Sequence, residues 1–201
     1  MSISERKRKE REALQNLILE TAADIVAEKG YENLTIRDLA SRIDYSPRTI
    51  YLYFADKQNL LEAVVEKGFR FTAEQIRVNR KAASIDPGLM LRKMIAGHIA
   101  MAAGNPNYYR AVVSMTFSRD FKPGPFQREI NEAVQEALRA YIRLERERES
   151  EADFLRTWMM NSLRMYTLSL LNENRSDINP EKAGETFFNL ITKGLEGGIH
   201  D

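Results

Sequence analysis

The stretch TIRDLASRIDYSPRTIYLYFADK, Thr35 to Lys57, holds two helix starts in close succession. Thr35 and Asp38 form a capping pair, in which a hydroxyl at the helix start accepts from a backbone amide one turn on. This predicts a helix of about two turns with Ile36, Leu39 and Ala40 facing inward. Ser46 is a natural cap for a second helix, and Pro47 takes the first helical position, where its missing N–H costs nothing. Tyr51, Tyr53 and Phe54 crowd into this second helix, which cannot bury all three rings. At about 100° per residue, Ile50 and Phe54 share a face with Pro47 beside them, while Arg48, Thr49, Leu52 and Tyr53 point away and Tyr51 lies at the edge. Two short helices joined by a turn of about three residues have the shape of a helix-turn-helix DNA reader. On such a reader a tyrosine hydroxyl donates to a phosphate oxygen while its ring packs. Lys57 adds charge near a helix start whose free N–H groups already favour anions.

Longer helices flank this core. Upstream, Leu14, Leu17, Ile18, Thr21, Ala22, Ile25 and Val26 repeat at three and four, and Gly30 supplies a stop. Downstream, Asp56 caps a helix striped by Leu60, Leu61, Val64, Val65 and Phe69 that reaches toward the high seventies. A domain boundary is expected near residue 70, giving domains of residues 1–70, with the motif at about 35–54, and 71–201. In the second, Asp86-Pro87, Asn105-Pro106 and Asn179-Pro180 each open a helix. The segment DFKPGPF reads as a loop, and a helix from Phe126 to about Arg146 ends in the solvated charge run RLERERESE. No segment alternates as a half-buried strand does, so the fold class is all-α.

The 201 residues carry a net charge of +1, with 30 basic and 29 acidic side chains, so any surface for nucleic acid must be local. The one basic cluster is Arg6, Lys7, Arg8, Lys9 and Arg11, either a solvated N-terminus or a phosphate-contacting arm. There is no cysteine, and His98 and His200 are the only imidazoles, which argues against metal sites and thiolate chemistry; no cofactor is expected. No long apolar run or signal-like segment appears, so a cytoplasmic protein without a membrane partner is expected. Enzyme signatures such as H-E-x-x-H, G-x-S-x-G or a phosphate loop are lacking, and the chain does not read as an enzyme.

The stretch resembles the DNA-binding half of the TetR family of bacterial transcription regulators. Thr35, Arg37, Leu39 and Ala40 match the first part of that family's signature, and Ser46, Thr49, Ile50, Tyr51, Tyr53, Phe54 and Lys57 match the second. The likeness covers roughly residues 10 to 65 by motif. It departs at the turn, where Ile43-Asp44-Tyr45 replaces Ala-Gly-Val, and at Arg48, where glycine is frequent. Asp44 can still take a left-handed turn position. The resemblance implies an N-terminal three-helix DNA-binding domain and a C-terminal helical domain for ligand binding and dimerisation. It implies a DNA surface of Thr35, Arg37, Ser46, Pro47, Arg48, Thr49, Tyr51, Tyr53 and Lys57. Within it, Thr49, Tyr51, Tyr53 and Lys57 would hold phosphates, and Pro47 would at most pack on a thymine methyl. Arg37 and Arg48 are candidates to read bases, since arginine pairs bidentately with guanine; the alternative for Arg48 is a phosphate-contacting or solvent-exposed arginine.

The family likeness further implies a small-molecule effector, a homodimer built on the last two helices, and double-stranded operator DNA as partner, with repression the usual outcome. Candidate effector contacts are Met94, His98, Met101, Tyr109, Phe117, Trp158, Asn161 and Tyr166, a mixture of adaptable apolar bulk and polar tips that suits an apolar or aromatic molecule, though such residues also fill cores. Candidate dimer contacts are Leu163, Leu170, Phe187, Phe188, Ile191 and Leu195; the alternative is that they fill the monomer core. A different class of function stays open at this point: a helical ligand-binding or scaffold protein with a vestigial helix-turn-helix.

Overall fold

The computed structural model describes residues 2–83, 86–117, 122–142, 149–173 and 178–198, with the side chains at 71, 75, 78–83, 149 and 194–198 outside that description. Among the described residues there are helices and no strands. In chain order they are α1 (Ile3–Lys29), a short 3-10 turn (Tyr31–Asn33), α2 (Ile36–Arg42), α3 (Pro47–Tyr51), α4 (Lys57–Ala83) and α5 (Pro87–Gly104). Then follow α6 (Pro106–Thr116), α7 (Pro125–Ile142), α8 (Glu149–Asn172) and α9 (Pro180–Gly198). No helix among the described residues is long and apolar enough to cross a membrane.

The chain divides into two compact units, Met1–Gly68 with Asn107–Lys122, and Phe69–Pro106 with Pro123–Asp201. α6 therefore clusters with the N-terminal helices, and α4 contributes its first turns to one unit and its remainder to the other.

In the first unit α1 buries Ile18, Leu19, Ala22, Ala23, Ile25 and Val26. Leu17, expected in this stripe, is 42% exposed, because the buried arc is centred on the two rows 18–22–25 and 19–23–26. α1 stops at Gly30, whose φ of 82° lies in the region that side chains avoid and whose N–H returns to the Val26 carbonyl at 2.9 Å. The close approach of α4 and α6 falls at Gly68: a Cβ there would stand 2.9 Å from Val112 Cγ2 and 3.1 Å from Tyr108 Cε1. Beside it the Tyr108 hydroxyl donates to the Val64 carbonyl, and Lys67 pairs with Glu20 at 3.0 Å.

The second unit is organised on α5, which packs on α9, α7 and α8. Asp86 caps it by accepting from the Leu89 amide at 3.0 Å, with Pro87 in the first turn, as the sequence predicts. Asn179 likewise accepts from the Lys182 amide at 3.0 Å at the start of α9. α5 and α9 touch backbone to backbone where Gly184 meets Ala96, with 3.2 Å between a Cβ built on the glycine and the alanine Cα. Across this seam the Arg92 guanidinium lies 3.9 Å from the centre of the Phe188 ring and pairs with Glu185 at 3.0 Å. The expected continuation of the α7 helix to Arg146 lies outside the described residues.

Candidate nucleic-acid interface and interior cavity

The two short helices form because their ends are satisfied locally. At the start of α2 the Thr35 hydroxyl accepts from the Asp38 amide at 3.1 Å. The Asp38 carboxylate does not return to the cap; it pairs with Lys29 at 3.0 Å and lies 3.8 Å from Arg42. Arg42 in turn grips Glu28 through two bonds of 2.7 and 3.1 Å, which fasten α2 to the end of α1. This fork holds the Glu28 carboxyl below its ordinary range and raises Arg42 above its own, through the shared hydrogen bonds first.

α2 ends in a left-handed turn at Asp44, φ 57°, with the Tyr45 N–H returning to the Ala40 carbonyl at 2.9 Å. This pairing closes the helix as glycine usually does, and aspartate tolerates the conformation better than most residues. The departure Ile43-Asp44-Tyr45 thus keeps a working turn. At the start of α3 the Ser46 hydroxyl meets the Thr49 amide at 3.1 Å and the Thr49 hydroxyl at 2.9 Å, with Pro47 in the first turn.

Beneath α3 lie Ile50, fully buried, and Phe54, 3% exposed, which answers two of the aromatic and apolar positions. The other rings sort differently from the wheel. α3 ends at Tyr51, and Leu52 and Tyr53 turn back onto the Thr49 and Ile50 carbonyls at 3.2 and 3.0 Å. The 100° step therefore fails after Tyr51. Tyr51, expected at the edge, is 53% exposed, whereas Tyr53 is half-buried under the Arg11 guanidinium, 5.6 Å from its ring centre. Thr35, Arg37, Ser46, Pro47 and Arg48 are exposed around this helix, and Thr49 is half-buried. Leu52, 70% exposed, and Tyr45, 45% exposed, join that surface and were not among the expected site residues. Large apolar residues on either side of the short helix, Tyr45 before its cap and Leu52 after its end, are the signal that points to them.

Lys57 is tied rather than free: its ammonium donates to the Glu32 carbonyl at 2.8 Å, joining the start of α4 to the 3-10 turn. An ammonium carries three donors, so two remain. Asp56 caps α4 through the Asn59 amide at 2.7 Å.

The second unit holds a cavity of about 10 Å³, lined by Thr72 and Ile76 of α4, Met94, Ile95 and His98 of α5, Ile130 and Val134 of α7, and Met159, Met160 and Leu163 of α8. Its polar groups are Thr72, whose buried hydroxyl oxygen lacks a hydrogen-bond partner among the described residues, and His98. Burial, with a smaller push from Arg164, drives the His98 imidazole down to about 3, so it is neutral.

Of the expected effector contacts, Met94 and His98 line this cavity. Met101 is half-buried on α5, and Asn161 accepts from Arg164 at 2.8 Å. Tyr166 donates to the Ala183 carbonyl at 3.3 Å with its ring 5.3 Å from that of Phe187. Trp158 is 43% exposed on α8 rather than enclosed. Tyr109, buried, and Phe117, exposed, belong to the first unit.

The expected dimer contacts are also re-sorted. Leu163, Phe187, Phe188 and Ile191 are buried in the chain's own second unit, Phe188 edge-on to Tyr141 at 5.5 Å, so they fill the monomer core. Leu170 is half-buried, and the side chain of Leu195 lies outside the described residues. The large apolar groups left on these helices are Phe154, Trp158 and Met165 of α8 and Leu190 of α9, each between 43% and 68% exposed.

Comparison with known proteins bears on the same segment. Residues 18–64 match the model of the bacterial regulatory proteins of the tetR family. The HTH-type transcriptional regulator YvdT of Bacillus subtilis (strain 168) is 33% identical over 60 residues, 30% of this chain and 31% of that protein. The fatty acid metabolism regulator protein of the same organism is 26% identical over 128 residues, 63% of this chain and 61% of that protein. The match thus spans about a third and about three fifths of the lengths of these relatives. Among solved structures, a TetR-family transcriptional regulator from Bordetella parapertussis 12822 superposes with a TM-score of 0.73 at 17% identity, covering 94% of this chain and 98% of that one, a likeness of fold. The capped helix-turn-helix thus lies inside a segment that matches the TetR family of bacterial regulatory proteins, and the all-helical fold is like that of a TetR-family regulator across nearly the full length.

Proposed function

We propose that this regulator is a cytoplasmic homodimeric repressor that binds a specific operator duplex and is released from it by a small apolar or aromatic effector. The observation that carries the reading is α3 itself: a five-residue helix held from below by Ile50 and Phe54, closed by Ser46, and presenting Arg48 and Tyr51 to solvent. A helix this short has no stability of its own, and its support from below and at its cap suits an outer face that is held in register with a duplex. Arg48 and Arg37 would read base edges, while Thr49, Tyr51, Tyr53 and the two free donors of Lys57 would hold phosphates. Thr35, Ser46 and Pro47 would set the start of each short helix against the duplex.

The first unit would then be the DNA-binding domain and the second the effector and dimer domain. For the dimer, the exposed stripe of Phe154, Trp158 and Met165 with Leu190 supports a twin-subunit face better than the buried Phe187 and Phe188 do. For the effector, the cavity holds no more than about one water, and the adaptable side chains of Met94, Met159 and Met160 would have to give way. Thr72 has a buried hydroxyl without a hydrogen-bond partner among the described residues and lies on α4, the helix that begins at the DNA reader. An effector would lower operator affinity only by its preference for the arrangement that does not bind, and a hundredfold loss needs about 2.7 kcal/mol of coupling.

The test is selection of duplexes from a random library with the full chain, followed by anisotropy titration of the enriched sequence. One enriched site, with affinity lost and discrimination at single positions relaxed in Arg48→Ala, is the expected outcome. No enrichment over scrambled duplex would overturn the reading.

A further inference from the structure

The stripe of α1 that faces the core changes character toward the N-terminus. Lys7, Arg11, Leu14, Ile18 and Ile25 fall within an arc of about 60° at the helical step. Ile18 and Ile25 are fully buried, Leu14 is half-buried, and Arg11 and Lys7 are exposed. The first turns of α1, held by the reciprocal Ser2–Glu5 cap, therefore continue past the core and carry cations where the stripe would otherwise be apolar.

Those cations line an open groove of about 720 Å³ whose other wall is Tyr45, Leu52 and Tyr53, the residues that bracket α3. The groove also contains Glu10, whose carboxylate is taken up by Arg6 at 3.1 Å. Arg8, on the other flank of α1, pairs with Glu12 at 3.0 Å. The ion pairs of this segment thus occupy the flanks, and the groove keeps Lys7 and Arg11. Arg11 is further aligned by its stack on the Tyr53 ring, the ring that the operator reading sets beside a phosphate. Two polar-tipped rings, an exposed leucine and two cations in one channel suit a sugar-phosphate strand, which offers anionic oxygens and apolar sugar faces together.

We infer that Lys7 and Arg11 hold the DNA backbone beyond the bases read by α3, so that the groove between α1 and the helix-turn-helix extends the footprint along one strand. This rests on the operator reading for the identity of the polyanion. It makes the basic start of the chain a folded part of the interface, and it makes its contribution independent of base sequence.

Each phosphate neutralised contributes about 0.9 to the slope of log affinity against log salt. The test compares wild type, Lys7→Gln/Arg11→Gln and the flank pair Arg8→Gln/Lys9→Gln, which leaves the Arg6–Glu10 pair in place, all as full chains, on the enriched duplex and on a scrambled one, across a salt series. The groove pair should be shallower by roughly two on both duplexes, with its ranking of sequences unchanged and the flank pair near wild type. The charge-preserving Lys7→Arg/Arg11→Lys should keep the slope even if loss of the Tyr53 stack lowers thermal stability. Equal slopes for wild type and the groove pair, or an equal loss in the flank pair, would overturn the inference. If wild type binds both duplexes alike while the groove pair still lowers the slope, the operator reading fails and the groove stands.

Discussion

α3 and α9 place aromatic residues in opposite ways. In α3 and its following turn, Tyr51 faces solvent and Phe54 is buried within four residues of chain; in α9, the adjacent Phe187 and Phe188 are both buried while Leu190 is exposed. The first unit orients its side chains by ending a helix early, with caps at Thr35, Ser46 and Asp56 fixing where each turn begins. The second orients them by long helices pressed together, as at Gly184 against Ala96. Local chemistry governs one region and packing governs the other. The difference teaches that the first should fail through single hydrogen bonds and the second through lost volume.

The largest effect should come from volume. Phe188→Ala removes a fully buried ring that sits under Arg92 and against Tyr141, and should cost about 3–5 kcal/mol, read as a lower urea midpoint. A loss of less than a third of that would mean α5 and α9 are not held by packing.

Next is a charge effect in the same unit. His98 takes a proton near pH 6.5 when unfolded but only near 3 when buried, so the unfolded state binds more protons between those values. The stability this gives is intact above pH 6.5 and is lost as pH falls through that window, amounting to about 2 kcal/mol by pH 5. His98→Gln should flatten that part of the unfolding curve between pH 7.5 and 5. Unchanged slopes would show that the imidazole is solvated.

The smallest effect should sharpen the contrast. Ser46→Ala deletes a cap worth about 1 kcal/mol, a modest change in melting, yet it unfastens the helix that carries Arg48 and Tyr51. Operator affinity should therefore fall by up to about fivefold, the most that about 1 kcal/mol of lost support can shift, beside only a small drop in melting temperature, as titration and melting of the same sample would reveal. Parallel losses would remove the distinction between the two regions.

The same division explains what was legible in the sequence. Helix starts at Thr35, Ser46, Asp56, Asp86 and Asn179 were readable because a cap and its amide lie three residues apart and need nothing distant. Asp44 was readable for the same reason. Tyr51 and Tyr53 exchanged places because the end of α3 is set by the turn that packs Phe54, which no wheel encodes. Trp158, exposed, and Phe188, buried, differ in burial from what the sequence suggested because an apolar position on a long helix does not say which neighbour covers it. The N-terminal cations were ambiguous as a cluster and became specific once the helix sorted Lys7 and Arg11 onto one face and Arg6 and Arg8 onto the flanks.

The bond from the Tyr108 hydroxyl to the Val64 carbonyl has a consequence in time as well as in space. In a helix that carbonyl is the acceptor for the amide four residues on, which here is Gly68. One oxygen then serves two donors, at the residue where the compact units part along α4 and where no side chain stiffens the backbone. Shared acceptors and glycine both lower the cost of opening a turn. The Gly68 amide is thus expected to exchange with deuterium ahead of the other buried amides of α4, making this turn the early clock within an otherwise slow helix interior.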